Sequence, residues 1–161
     1  MRYGFILHQR DPEIMGDVGS IRALVESADS NGYDHVRTAE HVLGANSASR
    51  PDWSGSYDHT QLWHDPFVLF AYIAALIGRI ELATSILILP QRQAPLVAKQ
   101  AAEVDILTEG RLRLGIGVGW NEVEFEALGK DFTDRGERCE EQIEVMRELW
   151  TNELVTFEGK W

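Results

Sequence analysis

Ile80 to Leu89 reads IELATSILIL, an almost unbroken apolar run that decides the class of fold. A strand with one solvated face alternates apolar and polar residues, whereas a nearly continuous apolar run indicates burial on both faces. Strands of this kind occur mainly in parallel sheets, because the connecting helices cover both sides of such a sheet. The run therefore predicts a β-strand inside an α/β fold.

Helices are predicted on both sides of this strand along the chain. Asp65-Pro66 opens one helix, with an N-cap acceptor followed by a proline in the first turn, and Gly78 ends it. Pro95 begins the next helix, which runs to Gly110. Because two parallel strands need a connection long enough to hold a helix, this order favours parallel strands.

The same alternation extends over the whole chain. Further strands are predicted at Arg2–His8, His35–Glu40 and Leu112–Val118, and further helices at Val18–Asn31 and Arg135–Trp150. Four β-then-α units with right-handed crossovers predict one domain over residues 1–161. Their spacing leaves two architectures open, a doubly wound open sheet and half of an eight-stranded β/α barrel.

The connection at residues 41–64 is long for this kind of fold. It holds Trp53, Tyr57, Trp63 and three of the five histidines. Loops of this length without regular structure are usually functional. In both architectures ligand sites lie at the C-terminal ends of the strands, where such loops begin. We therefore interpret residues 41–64 as a loop or lid over a ligand site.

Composition and charge exclude several classes of protein. The net charge of −11 gives no electrostatic support for binding nucleic acid or an anionic membrane surface. The single cysteine, Cys139, excludes an internal disulfide and a cysteine zinc site, and the spacing of His59 and His64 indicates no metal site. Without a membrane-length apolar run or a signal-peptide pattern, the sequence predicts a cytoplasmic protein that binds a small-molecule substrate.

The stretch RLRLGIGVGWNEVEFEALG, from Arg111 to Gly129, contains three glycines that alternate with Ile116 and Val118. The spacing superficially resembles a dinucleotide fingerprint. That interpretation fails because the glycines lie inside a strand, and no acidic residue ends a second strand about 20 residues later. The alternation instead indicates a strand whose inner face stays small, either for a flat ring to lie against it or for tight packing.

Four stretches together resemble the luciferase-like monooxygenase family, the bacterial luciferase superfamily. In chain order they are AEHV at Ala39–Val42, LATSILILPQRQAPLVAKQAAEVDILTEGR, GRLRLGIGVGWNEVEFEALG and ELWTNELVTFEGKW. This is also their order in the family. The resemblance implies a parallel β/α (TIM) barrel that holds reduced flavin or the deazaflavin coenzyme F420 at its C-terminal mouth. The form Gly-Trp-Asn-Glu-Val-Glu-Phe most resembles the F420-dependent branch, with FMN as the alternative cofactor.

The resemblance also implies roles for two histidines. His41, just past the second strand, matches a histidine that family members place near the reacting part of the ring. An imidazole there can donate or accept a proton at neutral pH, which makes His41 the candidate catalytic residue. His8, at the end of the first strand, is expected at the cofactor mouth.

The remaining candidate cofactor-binding residues lie on the third and fourth strands. The resemblance places them at Thr84, Ser85, Ile86, Gly117, Gly119, Trp120 and Asn121. A non-proline cis peptide is expected behind the ring, at or next to Ser85-Ile86. Asn121 is the candidate for a hydrogen bond to the edge of the ring.

Two parts of the fourth-strand loop depart from the family pattern. Val118 stands where luciferase has a basic residue that helps to hold the flavin phosphate. Trp120 and Asn121 stand where some F420 dehydrogenases have a carboxylate. The resemblance therefore assigns no proton-donor role to Glu122 or Glu124.

The length of the sequence leads to two hypotheses. Family barrels have eight βα units and this sequence has about four, so we expect the N-terminal half of a barrel. Its two open sheet edges favour a homodimer that completes a barrel-like core. One hypothesis is an oxidoreductase that uses F420 or FMN for hydride transfer or monooxygenation of a small organic substrate. The other is a non-catalytic half-barrel subunit for binding or assembly, or an inactive fragment.

Overall fold

The computed structural model describes residues 1–161, in which strands and helices alternate as the sequence predicts. The strands are β1 (Gly4–Ile6), β2 (His35–Thr38), β3 (Glu81–Thr84), β4 (Leu87–Ile88), β5 (Leu112–Arg113) and β6 (Ile116–Gly117). The helices are α1 (Pro12–Met15), α2 (Val18–Ser30), α3 (Pro66–Ala74), α4 (Ala94–Leu107), α5 (Glu122–Ala127) and α6 (Arg135–Thr151), with one 3-10 turn at Leu89–Gln91.

Four strands form a parallel sheet in the order β1-β2-β3-β5, and β4 pairs with β6, also in parallel. The register aligns Phe5 with Val36 and Leu82 with Leu112. Neighbouring parallel strands are joined through helices, as their geometry requires. The predicted parallel α/β fold is confirmed.

The strand predicted over Ile80–Leu89 is divided, which corrects its boundaries. Residues 81–84 form β3 and residues 87–88 form β4. The expected cis peptide lies at the division, between Ser85 and Ile86, so that prediction is confirmed. Most of the run is buried, as its composition indicates, but Ile86 is 37% exposed.

The strand predicted over Leu112–Val118 is divided at the same level, into β5 and β6. The reason lies in the local pairing with the third strand. The carbonyl oxygen of Gly115 accepts hydrogen bonds from the Thr84 hydroxyl at 2.7 Å and from the Leu87 amide at 2.8 Å. A side-chain donor thus takes a place in the ladder of backbone hydrogen bonds.

The region after the first strand also differs from the prediction. β1 is shorter than the predicted Arg2–His8, and the one-turn helix α1 follows it. Asp11 caps this helix, because its carboxylate accepts from the amides of Glu13 and Ile14. Pro12 occupies the first turn, where its missing amide hydrogen costs nothing.

The hydrophobic core lies between the sheet and the helices. It is a cluster of 22 buried residues that joins strand residues such as Val36 and Leu82 to helix residues such as Phe70 and Val97. We call the opposite side of the sheet the open face. Its side chains belong to alternate strand residues: Ile6, His35, Arg37, Glu81, Ala83 and Arg113.

Residues 39–65 connect β2 to α3 without a helix or a strand. The segment is nevertheless packed, since Ala45 is 1% and Tyr57 is 3% exposed. Its role as a lid stays a prediction. None of the helices combines the length and apolar character needed to cross a bilayer.

Candidate active site

A cavity of about 410 Å³ lies at the C-terminal ends of β1, β2 and β3. Its size is within the roughly 300–1,000 Å³ of small-ligand sites. Leu7 and Gln9, just after β1, are buried and His8 between them is exposed. His8 lines the cavity together with Ile6 and Arg37 of the open face. His8 and Ser85, two of the predicted cofactor-binding residues, both line the cavity, and their contact with a cofactor stays a prediction.

His41 forms a pair with a buried carboxylate. Its Nδ1 lies 3.3 Å from Oε2 of Glu124, which is completely buried on α5. The other oxygen of Glu124 accepts from the Val42 amide at 2.7 Å, and the Gln91 amide nitrogen lies 3.4 Å from Oε2. Since an ionised carboxylate only accepts, the proton of the neutral imidazole is placed on Nδ1. Nε2 has no partner in the protein and remains free to exchange a proton.

The surroundings of Glu124 keep it ionised. Burial raises the pKa of Glu124, but the hydrogen bond and charge of His41 and the amide of Val42 together lower it more. The net result is a pKa below the ordinary value. Glu124 is therefore an anion at neutral pH and holds the imidazole in one orientation.

Glu124→Gln is expected to make the free energy of unfolding depend less steeply on pH in the acidic range. A carboxyl whose pKa is lowered in the folded state stabilises the fold above its ordinary pKa of 4.5, and this stabilisation is lost as pH falls through the folded value. Urea unfolding from neutral to acidic pH measures the effect. The free energy of unfolding should fall more steeply for the wild type than for Glu124→Gln. Glu122→Gln, on the exposed side of the same helix, is the control and should parallel the wild type.

Aromatic rings enclose His41. The centroid of Tyr57 lies 3.9 Å from that of His41, Trp63 stands edge-on at 4.5 Å, and Trp120 stands edge-on at 6.1 Å. Trp120 is 49% exposed and stacks on Trp53. Trp63 also lines the cavity, whereas His41 is not part of the cavity wall. The indole of Trp63 therefore contacts the imidazole and contributes to the cavity wall. Trp53, Tyr57 and Trp63 all belong to the loop at residues 41–64.

Asn121 has a structural role that the sequence did not indicate. Its side-chain oxygen accepts from the Val123 amide and caps α5, and its Nδ2 donates to the Tyr57 hydroxyl at 2.5 Å. Burial raises the pKa of Tyr57, which keeps the phenol protonated. Asn121 thereby joins α5 to the loop that carries His41. A contact from Asn121 to a ring edge stays a prediction.

The glycines of the fourth strand leave room for the third strand. A Cβ atom on Gly115 would lie 2.3 Å from the Thr84 carbonyl oxygen, and one on Gly117 would lie 2.9 Å from the Ile86 side chain. A Cβ on Gly119 would lie 2.6 Å from the Ile88 side chain, and its φ of +78° favours glycine. Tight packing, one of the two interpretations of the sequence, thus accounts for the alternation. Direct contacts of Gly117 and Gly119 with a cofactor stay predictions.

A second buried carboxylate belongs to an ion-pair network. Glu40, 3% exposed, accepts from Arg92 Nε at 2.6 Å and from the Ile88 amide at 2.5 Å. The same guanidinium donates to Asp65, the cap of α3, at 2.5 Å. Burial raises the pKa of Glu40, and the Arg92 charge opposes this without cancelling it. The network joins the ends of the second and third strands to α3.

Sequence reasoning missed the partner of His41. Glu124 follows Asn121, the cap residue of α5, by three residues, which is the position from which a glutamate bonds back to the cap in a capping box. In the structure the Glu124 side chain turns instead to His41 and Val42 in another loop. No local pattern pointed to the pair of His41 and Glu124, because the two residues are 83 positions apart along the chain.

Comparison with protein families and curated proteins identifies the group to which the chain is similar. A family model described as luciferase-like monooxygenase matches residues 1–161. An F420-dependent glucose-6-phosphate dehydrogenase of Nocardia farcinica is 39% identical over 116 residues, which are 65% of this chain and 34% of that protein. The chain spans about half the length of the curated relatives it matches.

Solved structures share the fold. The monooxygenase RslO1 of Streptomyces bottropensis matches all of this chain and 46% of its own, with a TM-score of 0.83 and 26% identity. The oxygenating constituent of 3,6-diketocamphane monooxygenase of Pseudomonas putida, solved with FMN, matches 99% of this chain and 42% of its own. Its TM-score is 0.76 and its identity 25%. The sheet described above thus corresponds to about half of these longer folds.

Proposed function

The chain belongs to the luciferase-like monooxygenase family. We propose that it forms part of an oxidoreductase that uses reduced coenzyme F420, or FMN, on a small organic substrate. The observation that carries the proposal is His41, held by the buried Glu124 beside a cavity at the strand ends. The reaction would be hydride transfer or monooxygenation. A relative named for F420 and a neighbour solved with FMN support this cofactor class.

The residues around the cavity fit such a cofactor. The cavity volume suits a flat ring system, and His8, Ser85 and Arg37 offer polar contacts along its wall. The indole N–H of Trp63, another wall residue, is buried and has no hydrogen-bond partner. An unpartnered buried donor is costly unless a ligand accepts from it. When bound, the reduced cofactor would supply the hydride or react with oxygen.

His41 would donate or accept the proton that is transferred in this reaction. Its Nδ1 is committed to Glu124, so Nε2 is the atom that donates or accepts. The carboxylate stabilises the imidazolium when His41 is protonated and keeps one tautomer when it is neutral. Tyr57 and Trp63 limit access of water to the imidazole, which is 11% exposed.

We also propose a cytoplasmic homodimer that binds neither nucleic acid nor membrane. The acidic net charge supports the exclusion of nucleic acid and anionic membrane. β1 and β5 are the outer strands of the sheet, and unpaired strand edges favour association with another chain.

A fluorescence titration tests cofactor binding and assembly together. Purified protein is titrated with F420 and, separately, with FMN, while light scattering reports its mass. We expect micromolar binding of one cofactor, because the cavity presents several polar contacts, and a mass twice the 18.2 kDa of one chain. Binding of neither cofactor at any state of assembly would contradict the proposed oxidoreductase.

A further inference from the structure

The cavity at the strand ends is basic, although the chain is acidic. Its wall of ten residues includes Arg10, Arg37 and His8 and contains no aspartate or glutamate. The net charge of the chain is −11. The larger cavity beside α5 differs, since its wall includes the carboxylates of Glu122 and Glu126. A positive wall on an acidic protein concentrates anions at that place.

Arg37 is the cation of this wall that lacks a protein partner. It is half-buried, and its guanidinium makes no hydrogen bond and no ion pair with the protein. The register of the sheet places Ile6 on one side of it and Ala83 on the other, so its neighbours across the strands are apolar. A guanidinium against an apolar wall is poorly hydrated and favours an oxyanion.

Glu81, the carboxylate on the open face, is already engaged. Glu81 forms ion pairs with Arg2, at 3.1 Å, and with Arg113. Arg113 follows Ala83 in the same row of the sheet as Arg37. The open face of the strands therefore holds two arginines, Arg37 and Arg113, and one carboxylate, Glu81, and Arg37 is the arginine that has no ion pair.

Other donors converge on the same cavity. Arg10 reaches Ser56 Oγ at 3.3 Å and lies over the Trp63 ring, with its guanidinium carbon 5.8 Å from the ring centroid. Ser85 contributes a hydroxyl from the end of β3. The planar fork of an arginine binds a carboxylate or phosphate through two parallel hydrogen bonds, and a hydroxyl can donate a third.

We propose that Arg37 binds the carboxylate or phosphate of a small organic ligand in this cavity. The assignment of that ligand as substrate or cofactor rests on the proposed function. The anion itself can belong to an acidic substrate or to the phosphate of the cofactor. Binding of a simple carboxylate to the cofactor-free protein tests the site without any assumption about the reaction.

Benzoate is the probe, and benzyl alcohol is its uncharged counterpart. NMR titration of the cofactor-free chain follows the Nε–H signal of Arg37 and the indole signal of Trp63. We expect both signals to move with benzoate, and benzyl alcohol to bind about tenfold more weakly or worse, because hydrogen bonds to a charged group are the stronger ones. Arg37→Met should weaken the binding of benzoate by a similar factor. Arg22→Met, an exposed arginine on α2, makes the same change of charge away from the cavity and should leave binding unchanged.

A second arm identifies the source of the anion. If the phosphate of the cofactor occupies the site, Arg37→Met weakens the binding of FMN but not the binding of riboflavin, and FMN displaces benzoate. If a substrate occupies it, benzoate still binds to the FMN-loaded protein. The proposal is overturned if benzoate and benzyl alcohol bind equally, if benzoate does not bind, or if its binding leaves the Arg37 signal unmoved. The wild-type signals decide this even if Arg37→Met does not fold. Failure to bind either cofactor would contradict the proposed function but would not affect the conclusion that Arg37 binds the carboxylate of benzoate.

Discussion

Replacement of His41 by alanine is expected to slow oxidation of the reduced cofactor by about 10²–10⁴-fold, the usual contribution of a general acid or base. The Nε2 atom of His41 has no partner in the protein, and alanine removes the ring that would donate or accept a proton there. Cofactor affinity should change little, because the cavity wall is formed by other residues. Stopped-flow absorbance of the cofactor, with oxygen and a panel of small ketones and aldehydes as oxidants, gives the rate.

The matched control is His59→Ala, which removes an exposed histidine from the same loop. It should retain the rate of the wild type. Glu124→Gln should give an intermediate loss with unchanged cofactor affinity, since it leaves the imidazole in place but removes the carboxylate that orients Nδ1. Equal rates for the wild type and His41→Ala would remove His41 from the mechanism.

Arg92→Met is expected to destabilise the fold by about 3–5 kcal/mol, the cost of breaking a buried ion pair at one partner. The substitution leaves Glu40, 3% exposed, without its counter-charge and removes a donor from Asp65. Such a loss is a large part of the roughly 5–15 kcal/mol that stabilise a typical domain. Urea unfolding monitored by circular dichroism measures it.

Two further variants show whether the buried charge is the cause. Arg147→Met removes an exposed arginine from α6 and should change the free energy of unfolding by less than about 0.5 kcal/mol. The double variant Arg92→Met/Glu40→Gln should recover part of the loss, because no unpaired carboxylate then remains buried. A double variant less stable than Arg92→Met would show that lost packing, and not the unpaired charge, dominates.

Features that depend on neighbouring residues were predictable from the sequence. The Asp65 cap with its following proline placed the start of α3, and the helical spacing of Val18–Asn31 placed α2 to within one residue of its end, because caps and periodicity are local. The apolar run at Ile80–Leu89 identified a buried strand of a parallel sheet. The family resemblance located the cis peptide at Ser85-Ile86.

The division of the third and fourth strands was not predictable in the same way. Their hydrophobic pattern is continuous, and only the approach of the two strands shows that Thr84 and Leu87 share the Gly115 carbonyl. The pattern of glycines left a flat ligand and tight packing equally open. The positions of Ile86 and Ile88 against Gly117 and Gly119 show that the neighbouring strand takes the space.

The sequence by itself determined the parallel α/β class, the order of its elements and the position of His41 after the second strand, because periodicity, caps and family motifs are written in contiguous residues. Only the tertiary structure decided what His41 and Glu40 contact. Glu124 and Arg92 lie 83 and 52 residues away from them along the chain. The same holds for Arg37, which has no ion pair because its neighbours on the adjacent strands are apolar and Glu81 pairs with other arginines. Burial and pairing of charges are properties of the assembled sheet, and no local pattern encodes them.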